Sequence, residues 1–431
     1  MIIHVVQPGE TIYSIASLYD ISVTRLVEEN GLTQPENLVV GQTIVITTPS
    51  QVYVAREGDT LESIAVSFGV SLLQLMRNNP NLYGRDFLYQ GELVIISFDT
   101  QGNVSINAYA YPFIDQDILR KTLPYLTYLT IFNYRTIESG EIVGSDESEI
   151  IQTAKAYGVA PLMSVSTLTY QGVSDIEVVN SILYDEVVLE SHIDNILVIL
   201  REKEYYGLNI SLANLNQDNR GAYENFISRI SVRLKAEGFV LFITITPRIV
   251  LNASEITIEG IGYDGLGELS DGILMLSYGW GSFAGPPSPS TPASLTRQLL
   301  ENAVTFIDVN KLNIGISVIG YDWQQPYVLG KTRGNALTTD AAINLAIQTG
   351  SVIYFDEDAQ APYFQYATAE GDKTINHTVW FSDARTIDSL FKLIPEFAIQ
   401  GSGIWNIMSY FTQMWLVINS QYSINKVYPE S

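Results

Sequence analysis

Residues 206–214 read YGLNISLAN and alternate apolar with polar side chains at a period of two. This period predicts a strand that sends every second side chain to the same side of a sheet. Helical patterns flank the strand over residues 190–203 and 220–236. A strand between two helices with short connections is the repeating unit of a (β/α)8 TIM barrel, whose functional residues lie at the C-terminal ends of the strands. We therefore expect an α/β barrel with a site at the end of this strand.

Strand and helix patterns continue to alternate from residue 98 to residue 431. Such alternation predicts a parallel sheet, and eight strands over this length predict closure into a barrel. Additional strand patterns between the seventh and eighth barrel strands predict a small α+β insertion at about residues 335–385. The predicted barrel strands cover residues 104–110, 126–134, 159–165, 206–214, 239–246, 272–278, 312–319 and 401–406.

The first hundred residues contain an internal repeat. Residues 4–12, HVVQPGETI, match residues 53–61, YVAREGDTL, and later matches continue to the end of each copy. Each copy reads strand, helix, helix, strand, and the threonine after the turn glycine is placed to cap the first helix. The repeat predicts two small α+β domains, at residues 1–48 and 51–97.

Charge and composition exclude several classes of partner. The formal net charge is −24, which repels nucleic acid and anionic membrane surfaces. The chain has no cysteine and three scattered histidines, so we expect no disulfide, no metal site and no cofactor. The N-terminus lacks the basic segment of a signal peptide, and no apolar run is long enough to span a bilayer.

The two copies resemble LysM domains through the signature Y/H-x-V-x-x-G-D/E-T-L/I-x-x-I-A. The resemblance implies binding of N-acetylglucosamine-containing glycans in a shallow groove between the first loop and the loop before the last strand. Two weak sites on one chain reinforce each other through effective concentration. A purely capping role for the two threonines is compatible with this reading. The groove residues that the resemblance implies are Gly9, Glu10, Thr11 and Ile12 with loop 35–39, and Gly58, Asp59, Thr60 and Leu61 with loop 85–89.

The barrel resembles glycoside hydrolase family 18, and within it the spore cortex-lytic N-acetylglucosaminidases. The fourth strand of that family reads D-x-x-D-x-D-x-E, and its glutamate is the general acid. Here the four positions hold Tyr206, Asn209, Ser211 and Ala213, and on strand six Gly279 replaces an acidic residue. The other stretches that carry the resemblance are residues 122–129, 278–281, 285–287, 321–323, 380–385 and 403–406.

The missing acids determine the functional expectation. Family 18 enzymes use the acetamide of the substrate as nucleophile, a glutamate to protonate the leaving oxygen and an aspartate to orient the acetamide. We therefore expect a peptidoglycan-binding or glycan-binding pseudoenzyme associated with the spore cortex or cell wall. The alternative is a weakly active or repurposed glycosidase, in which Asp322 is the best candidate to supply the proton, whereas Asp218 is expected to lie too far away, in a loop beyond strand four. The substitutions are compatible with natural loss of the site or with an engineered change.

The remaining cleft residues imply that sugar binding persists. Trp405 matches the tryptophan that forms the floor of the family's sugar subsite, and aromatic faces stack on pyranose rings. Met275 could instead belong to the core, and Trp280 could pack beneath the Gly-Pro-Pro loop. The glycan identity, protein partners and oligomeric state stay open. The implied glycan-binding residues of the barrel are Asn209, Met275, Tyr278, Trp280, Tyr321, Asp322 and Trp405.

Overall fold

The computed structural model describes residues 1–85, 87–167, 175–211, 215–247, 249–252, 255–258, 263–278 and 283–428. Within these residues, no helix combines the length and apolar character needed to cross a membrane.

Each N-terminal copy is a two-stranded antiparallel sheet covered by two helices. Thr11 and Thr60 cap the first helix of their copies, and each forms a capping box with a serine three residues later. The first copy comprises strands Ile2–Val5 and Thr43–Ile46 and helices Ile12–Leu18 and Val23–Asn30. The second comprises strands Gln51–Val54 and Leu93–Ser97, helices Leu61–Phe68 and Leu72–Asn78, and the 3-10 turn Pro80–Leu82.

Eight parallel strands close into a barrel, because the first strand pairs with both the second and the eighth. The TIM-barrel prediction is therefore confirmed. The sixth strand ends two residues earlier than predicted, and residues 212–214 of the predicted fourth strand lie outside the described residues. The barrel strands, numbered one to eight, are Gly102–Ala110, Tyr128–Thr136, Ala160–Ser166, Gly207–Ser211, Val240–Ile245, Gly272–Leu276, Leu312–Ser317 and Gly401–Trp405.

The strand register divides the barrel side chains into two sets. Asn209 lies opposite Phe242 and Ser164 on the lumen side, whereas Ile210 lies opposite Ile243 on the outer side. The outer set packs against the helices in one continuous apolar core. The helices around the barrel are Gln116–Thr122, Ser148–Ala156, Ile176–Tyr184, Glu186–Glu202, Arg220–Glu237, Tyr263–Leu269, Ala293–Ala303, Ala384–Glu396 and Thr412–Gln421.

A five-stranded antiparallel sheet forms the insertion between strands seven and eight. It begins at Gly320, before the predicted boundary near residue 335, because the chain leaving strand seven pairs at once with the strand Lys373–Trp380. Helix Thr339–Thr349 accompanies the sheet. In spatial order the strands are Asn335–Leu337, Gly320–Gln325, Lys373–Trp380, Ala361–Glu370 and Tyr354–Asp356.

Three short pairings complete the secondary structure. One strand extends the sheet beside strand two, one pairs in parallel with the start of strand one, and two form a separate hairpin. These strands are Ile142–Val143, Tyr422–Ile424, Ile249–Asn252 and Glu255–Ile258.

Candidate glycan-binding cleft

A closed ring of three hydrogen bonds crosses the barrel lumen. Asn209 Nδ2 donates to Tyr109 Oη at 3.0 Å, and Thr244 Oγ1 donates to Asn209 Oδ1 at 2.8 Å. Tyr109 Oη and Thr244 Oγ1 are 3.0 Å apart, so the tyrosine hydroxyl donates the third bond. Burial raises the pKa of Tyr109 to about 12, which keeps the hydroxyl protonated. Asn209 is thus committed to joining strands one, four and five.

Ser211 is the last described residue of strand four and is half-buried. The register places it opposite Thr244, on the same lumen face as Asn209. Its hydroxyl can donate or accept a hydrogen bond but carries no charge at neutral pH. Ala213, which the resemblance matches to the family's general acid, lies outside the described residues.

Tyr206 lies at the opposite end of strand four from this site. Its ring packs 6.3 Å from the ring of Tyr128 and 5.7 Å from that of Tyr428. Both distances join ring centroids. Because Tyr128 begins strand two, this aromatic group belongs to the N-terminal end of the barrel, away from the ends where TIM-barrel sites lie.

The two predicted strand-six residues have different environments. Met275 lies opposite Ile245 and Ile314 on the outer face and is 1 % exposed, so it packs against the helices and does not line the lumen. Tyr278 follows the strand and is half-buried. Burial, with a smaller contribution from Tyr109, raises the pKa of Tyr278 well above its usual value. Gly279 and Trp280 lie outside the described residues.

Trp405 begins a series of aromatic rings at the C-terminal ends of strands eight, two and one. Its ring centroid lies 5.1 Å from that of Phe132, 5.8 Å from that of Tyr109 and 6.1 Å from that of Tyr111. Tyr111 in turn stacks on Phe113 at 5.2 Å and 21°. Phe113 is 77 % exposed, so the series runs from the lumen to the surface.

Tyr111 and Phe113 are candidate cleft residues that the sequence predictions do not include. The signal was present in residues 109–113, YAYPF, where aromatic residues occupy alternate positions at the end of strand one. In a strand this spacing would place them on one side, although the described strand ends at Ala110 and residues 112–113 form a turn. Aromatic rings arranged in this way can stack on successive sugar rings.

Asp322, the candidate substitute acid, lies in the insertion sheet and not at the end of strand seven. Strand seven stops at Ser317, and the next strand starts at Gly320. The buried carboxylate accepts a 2.7 Å hydrogen bond from Tyr366 Oη and lies 3.1 Å from His377 Nδ1. These contacts commit Asp322 to holding the sheet together.

Tyr321 also belongs to the insertion sheet. Its ring centroid lies 5.5 Å from that of Trp323, which is fully buried. The structure describes most of the predicted barrel residues. It brings three of them, Asn209, Tyr278 and Trp405, around Tyr109. Tyr321 and Asp322 lie on the insertion, and Met275 lies in the outer core.

The acidic residues of the two LysM-like loops stabilise the loops themselves. Glu10 accepts hydrogen bonds from the Gln7 backbone amide at 2.7 Å and from His4 Nε2 at 2.8 Å. Asp59 accepts equivalent bonds from the Arg56 amide at 2.7 Å and from Tyr53 Oη at 2.8 Å. The backbone hydrogen bond is the main cause that lowers the pKa of each carboxyl.

The other predicted groove residues are unequal in exposure. Gly9 and Gly58 are exposed and have φ values of 84° and 87°, in the left-handed region that favours glycine. Ile12 is 1 % exposed and belongs to the core of its domain, whereas Leu61 is half-buried. The apolar group that sequence analysis placed in the first groove therefore faces inward.

Comparisons with known proteins agree with this architecture. The LysM domain family matches residues 4–47 and 53–97. The chain is 31% identical to the cortical fragment-lytic enzyme of Bacillus subtilis (strain 168), over 99% of both chains. It is 28% identical to the putative sporulation-specific glycosylase YdhD of the same organism, over 99% of this chain and 100% of the relative.

Solved structures extend the comparison. The spore cortex-lytic enzyme SleL of Bacillus megaterium QM B1551 superposes with a TM-score of 0.80 at 28% identity, covering 98% of each chain. A chitinase from Chromobacterium violaceum shares the fold alone, at 19% identity and a TM-score of 0.65 over 74% of this chain and 98% of the chitinase. With two LysM domains ahead of a chitinase-like TIM barrel, this chain belongs to the family of the cortical fragment-lytic enzymes.

Proposed function

We propose that the protein binds peptidoglycan, or another glycan that contains N-acetylglucosamine, and does not hydrolyse it. The observation that carries the proposal is the pair Ser211 and Ala213 at the positions of the family's aspartate and glutamate. The names of the relatives support a spore or cell-wall setting for this activity.

The proposed inactivity follows from the chemistry of the reaction. The leaving oxygen must receive a proton, and general acid catalysis contributes about 10²–10⁴-fold to such a step. A carboxylate that stabilises the charge developing on the acetamide adds an electrostatic contribution. None of the eight barrel strands, within the bounds given above, contains an aspartate or a glutamate.

Two candidate groups are poor substitutes for the missing acid. Asp322 is engaged with Tyr366 and His377 in the insertion sheet. Tyr278 has a pKa raised far above its usual value, so its hydroxyl is a weaker acid than an ordinary tyrosine. Ser211 is in place to form a hydrogen bond with a sugar, which supports binding without turnover.

Glycan binding is supported by the aromatic series and by the LysM domains. Trp405, Tyr111 and Phe113 offer ring faces at the C-terminal ends of the strands, where TIM-barrel ligands bind.

The second candidate function is a weak or repurposed glycosidase. It is favoured by the full-length similarity to relatives that are named as lytic enzymes and glycosylases.

One experiment separates the two functions. The full chain is incubated with insoluble spore cortex and with vegetative peptidoglycan, and bound protein and released muropeptides are measured separately. We expect protein in the pellet and no muropeptides above the buffer control. Release that grows with time and enzyme concentration would establish the glycosidase, and an unbound protein with no release would remove both functions.

A further inference from the structure

The two LysM domains differ in what their second loop touches. In the first domain this loop, residues 31–42, docks on the insertion of the barrel. Ile353 N donates to Val40 O at 2.9 Å, and Arg385 Nη2 donates to Gly41 O at 3.2 Å. The Gly41 backbone lies so close to Ile353 that an added Cβ would be 1.9 Å from the Ile353 carbonyl oxygen. Val39 is 8 % exposed and packs into the apolar core of the insertion.

Two glutamines strengthen this attachment. Gln34 Nε2 donates to Asn344 Oδ1 at 2.8 Å, which ties the loop to the insertion helix. Gln413, on the last barrel helix and 5 % exposed, donates to Thr43 O at 2.7 Å and to Asn30 Oδ1 at 3.1 Å. The first domain is therefore bound to two separate parts of the barrel domain.

The first domain also bridges its own predicted groove. Tyr13 Oη, from the start of the first helix, donates to Glu36 Oε1 in the second loop at 2.9 Å. A glycan that entered between the two loops would have to compete with this bond. Together with the buried Ile12, this contact leaves the first domain poorly equipped to bind sugar.

The second domain meets the barrel through a different region. Tyr125 Oη donates to Arg77 O at 2.8 Å, and Asn419 Nδ2 donates to Asn78 Oδ1 at 2.8 Å. Both contacts lie at the end of its second helix, and the start of its second loop adds a hydrogen bond between Tyr83 and Tyr157. At Gly91, the counterpart of Gly41 with the same φ of 89°, an added Cβ would meet no atom within 4 Å. The end of the second loop is therefore open to solvent.

Two exposed aromatic rings lie near this open end of the loop. Phe87 is 55 % exposed and Tyr89 is 63 % exposed, and their ring centroids lie 5.2 Å apart. The Arg85 guanidinium lies 5.6 Å from the Phe87 centroid and 5.0 Å from the Tyr89 centroid. Arg85 also forms a bidentate ion pair with Glu92 at 2.6 and 2.9 Å, which fixes the loop.

The two domains are aligned at Gly41 and Gly91. In this alignment the first domain has Asn37 and Val39 at the positions of Phe87 and Tyr89 in the second. We propose that, of the two LysM domains, only the second binds glycan, through Arg85, Phe87 and Tyr89. The first domain is instead a brace that joins the barrel to its insertion. This inference rests on the proposed glycan binding. The ligand class is a glycan strand that contains acetamido sugars, whose rings stack on aromatic faces.

The test compares two exposed pairs in the full chain. Phe87→Ala with Tyr89→Ala removes the aromatic rings of the second domain, and Tyr13→Ala with Glu36→Ala removes the matched pair of the first. Binding to insoluble peptidoglycan is measured as an apparent Kd, with the thermal midpoint as a check on folding. We expect the first double variant to bind at least about tenfold more weakly, in line with the loss of an aromatic stacking partner. The second double variant should bind like the wild type.

The outcomes separate this inference from the proposed function. Wild-type binding with no loss in the Phe87 and Tyr89 variant would overturn the inference and leave the proposed function standing. A loss in the Tyr13 and Glu36 variant equal to that in the other pair would also overturn it. A wild-type protein that stays in the supernatant would refute the proposed function and the inference together. Should the aromatic variant unfold, Phe87→Leu with Tyr89→Leu keeps the apolar bulk without the rings and is judged by the same criteria.

Discussion

Asn209 on strand four donates a hydrogen bond to Tyr109 on strand one, across the barrel and over 100 positions of sequence. The amide completes a closed polar ring with Thr244, at a position where the resemblance to family 18 implies an aspartate. Asn209 thus holds strands one, four and five together across the lumen. Its partners Tyr109 and Thr244 are also uncharged, so the ring needs no counter-ion.

Removing the amide should destabilise the barrel. Asn209→Ala leaves the Tyr109 and Thr244 hydroxyls buried without this partner, and an unsatisfied buried polar group costs about 1–3 kcal/mol. We expect a decrease of that size in the free energy of unfolding, measured by urea denaturation. Thr244→Val should cost a similar amount, and the double variant less than the sum of the two, because both break the same ring. Additive losses would show that the ring is not an energetic unit.

Loss of the Trp405 ring should weaken sugar binding in the cleft. Trp405→Ala is made in a Phe87→Ala, Tyr89→Ala background, so that LysM binding does not mask the effect. N-acetylglucosamine oligomers are titrated by calorimetry, and we expect a loss of about 1–3 kcal/mol, by analogy with nucleobase stacking on aromatic side chains. Phe113→Ala serves as a matched variant at the exposed end of the series. This variant should weaken the binding of longer oligomers only. Unchanged affinity in Trp405→Ala would exclude the cleft as the binding site.

Restoring the acids should recover some hydrolysis. Ser211→Asp with Ala213→Glu introduces carboxylates at the two positions that the resemblance assigns to the orienting aspartate and the general acid, and Ser211 lies on the lumen face. We expect no activity from the wild type, little from Ala213→Glu alone and partial activity from the pair, because Gly279 still lacks a carboxylate. The assay is chromophore release from a chitobioside, supported by muropeptide analysis of digested cortex. Robust release by the wild type would contradict the proposed inactivity.

Because the first domain is docked on the barrel, alanine substitutions at Gly41 and Gly91 should lower the thermal midpoint by different amounts. Gly41 and Gly91 both have a φ of 89°, so replacement by alanine imposes the same backbone penalty at each. Only Gly41→Ala also forces a methyl group against the Ile353 carbonyl, and overpacking of this kind costs about 1–3 kcal/mol. Gly41→Ala should therefore lower the thermal midpoint clearly more than Gly91→Ala. Equal midpoints would mean that the first domain is not tightly docked.

His192 should make the protein lose stability in mild acid. It is 2 % exposed, and burial lowers its pKa to about 4, while its Nδ1 lies 3.1 Å from Gly140 O. The unfolded state binds a proton at His192 more readily than the folded state does. The contribution of neutral His192 to the free energy of unfolding is therefore complete above pH 6.5 and is lost as the pH falls through about 4. The difference corresponds to roughly 3 kcal/mol.

The measurement is guanidinium unfolding between pH 4 and pH 7, for the wild type and for His192→Gln. Subtracting the two curves removes the contribution of other groups. We expect the variant to show a flatter dependence over this range. Parallel curves would rule out a buried neutral histidine at this position.

Local patterns in the sequence determined much of the architecture. The period-two strands, the repeat of residues 4–12 at 53–61 and the capping threonines depend on neighbours only a few residues apart. For this reason two small repeated domains and a closed barrel could be predicted, while the signature within each repeat carried the resemblance to LysM domains. The residue types at 206, 209, 211 and 213 likewise carried the expectation of inactivity, because the chemistry requires carboxylates that are absent from these positions.

Contacts between distant residues decided the rest. Met275 faces the helices because of the register of three strands, and Asp322 is held by Tyr366 and His377 in a sheet whose start had been placed too late. The repeat predicted two equivalent LysM domains, whereas docking of Gly41 on Ile353 makes them unequal. Sequence similarity between the copies reflects their shared internal fold, but the surface that each copy presents depends on residues about 300 positions away, which no local pattern contains.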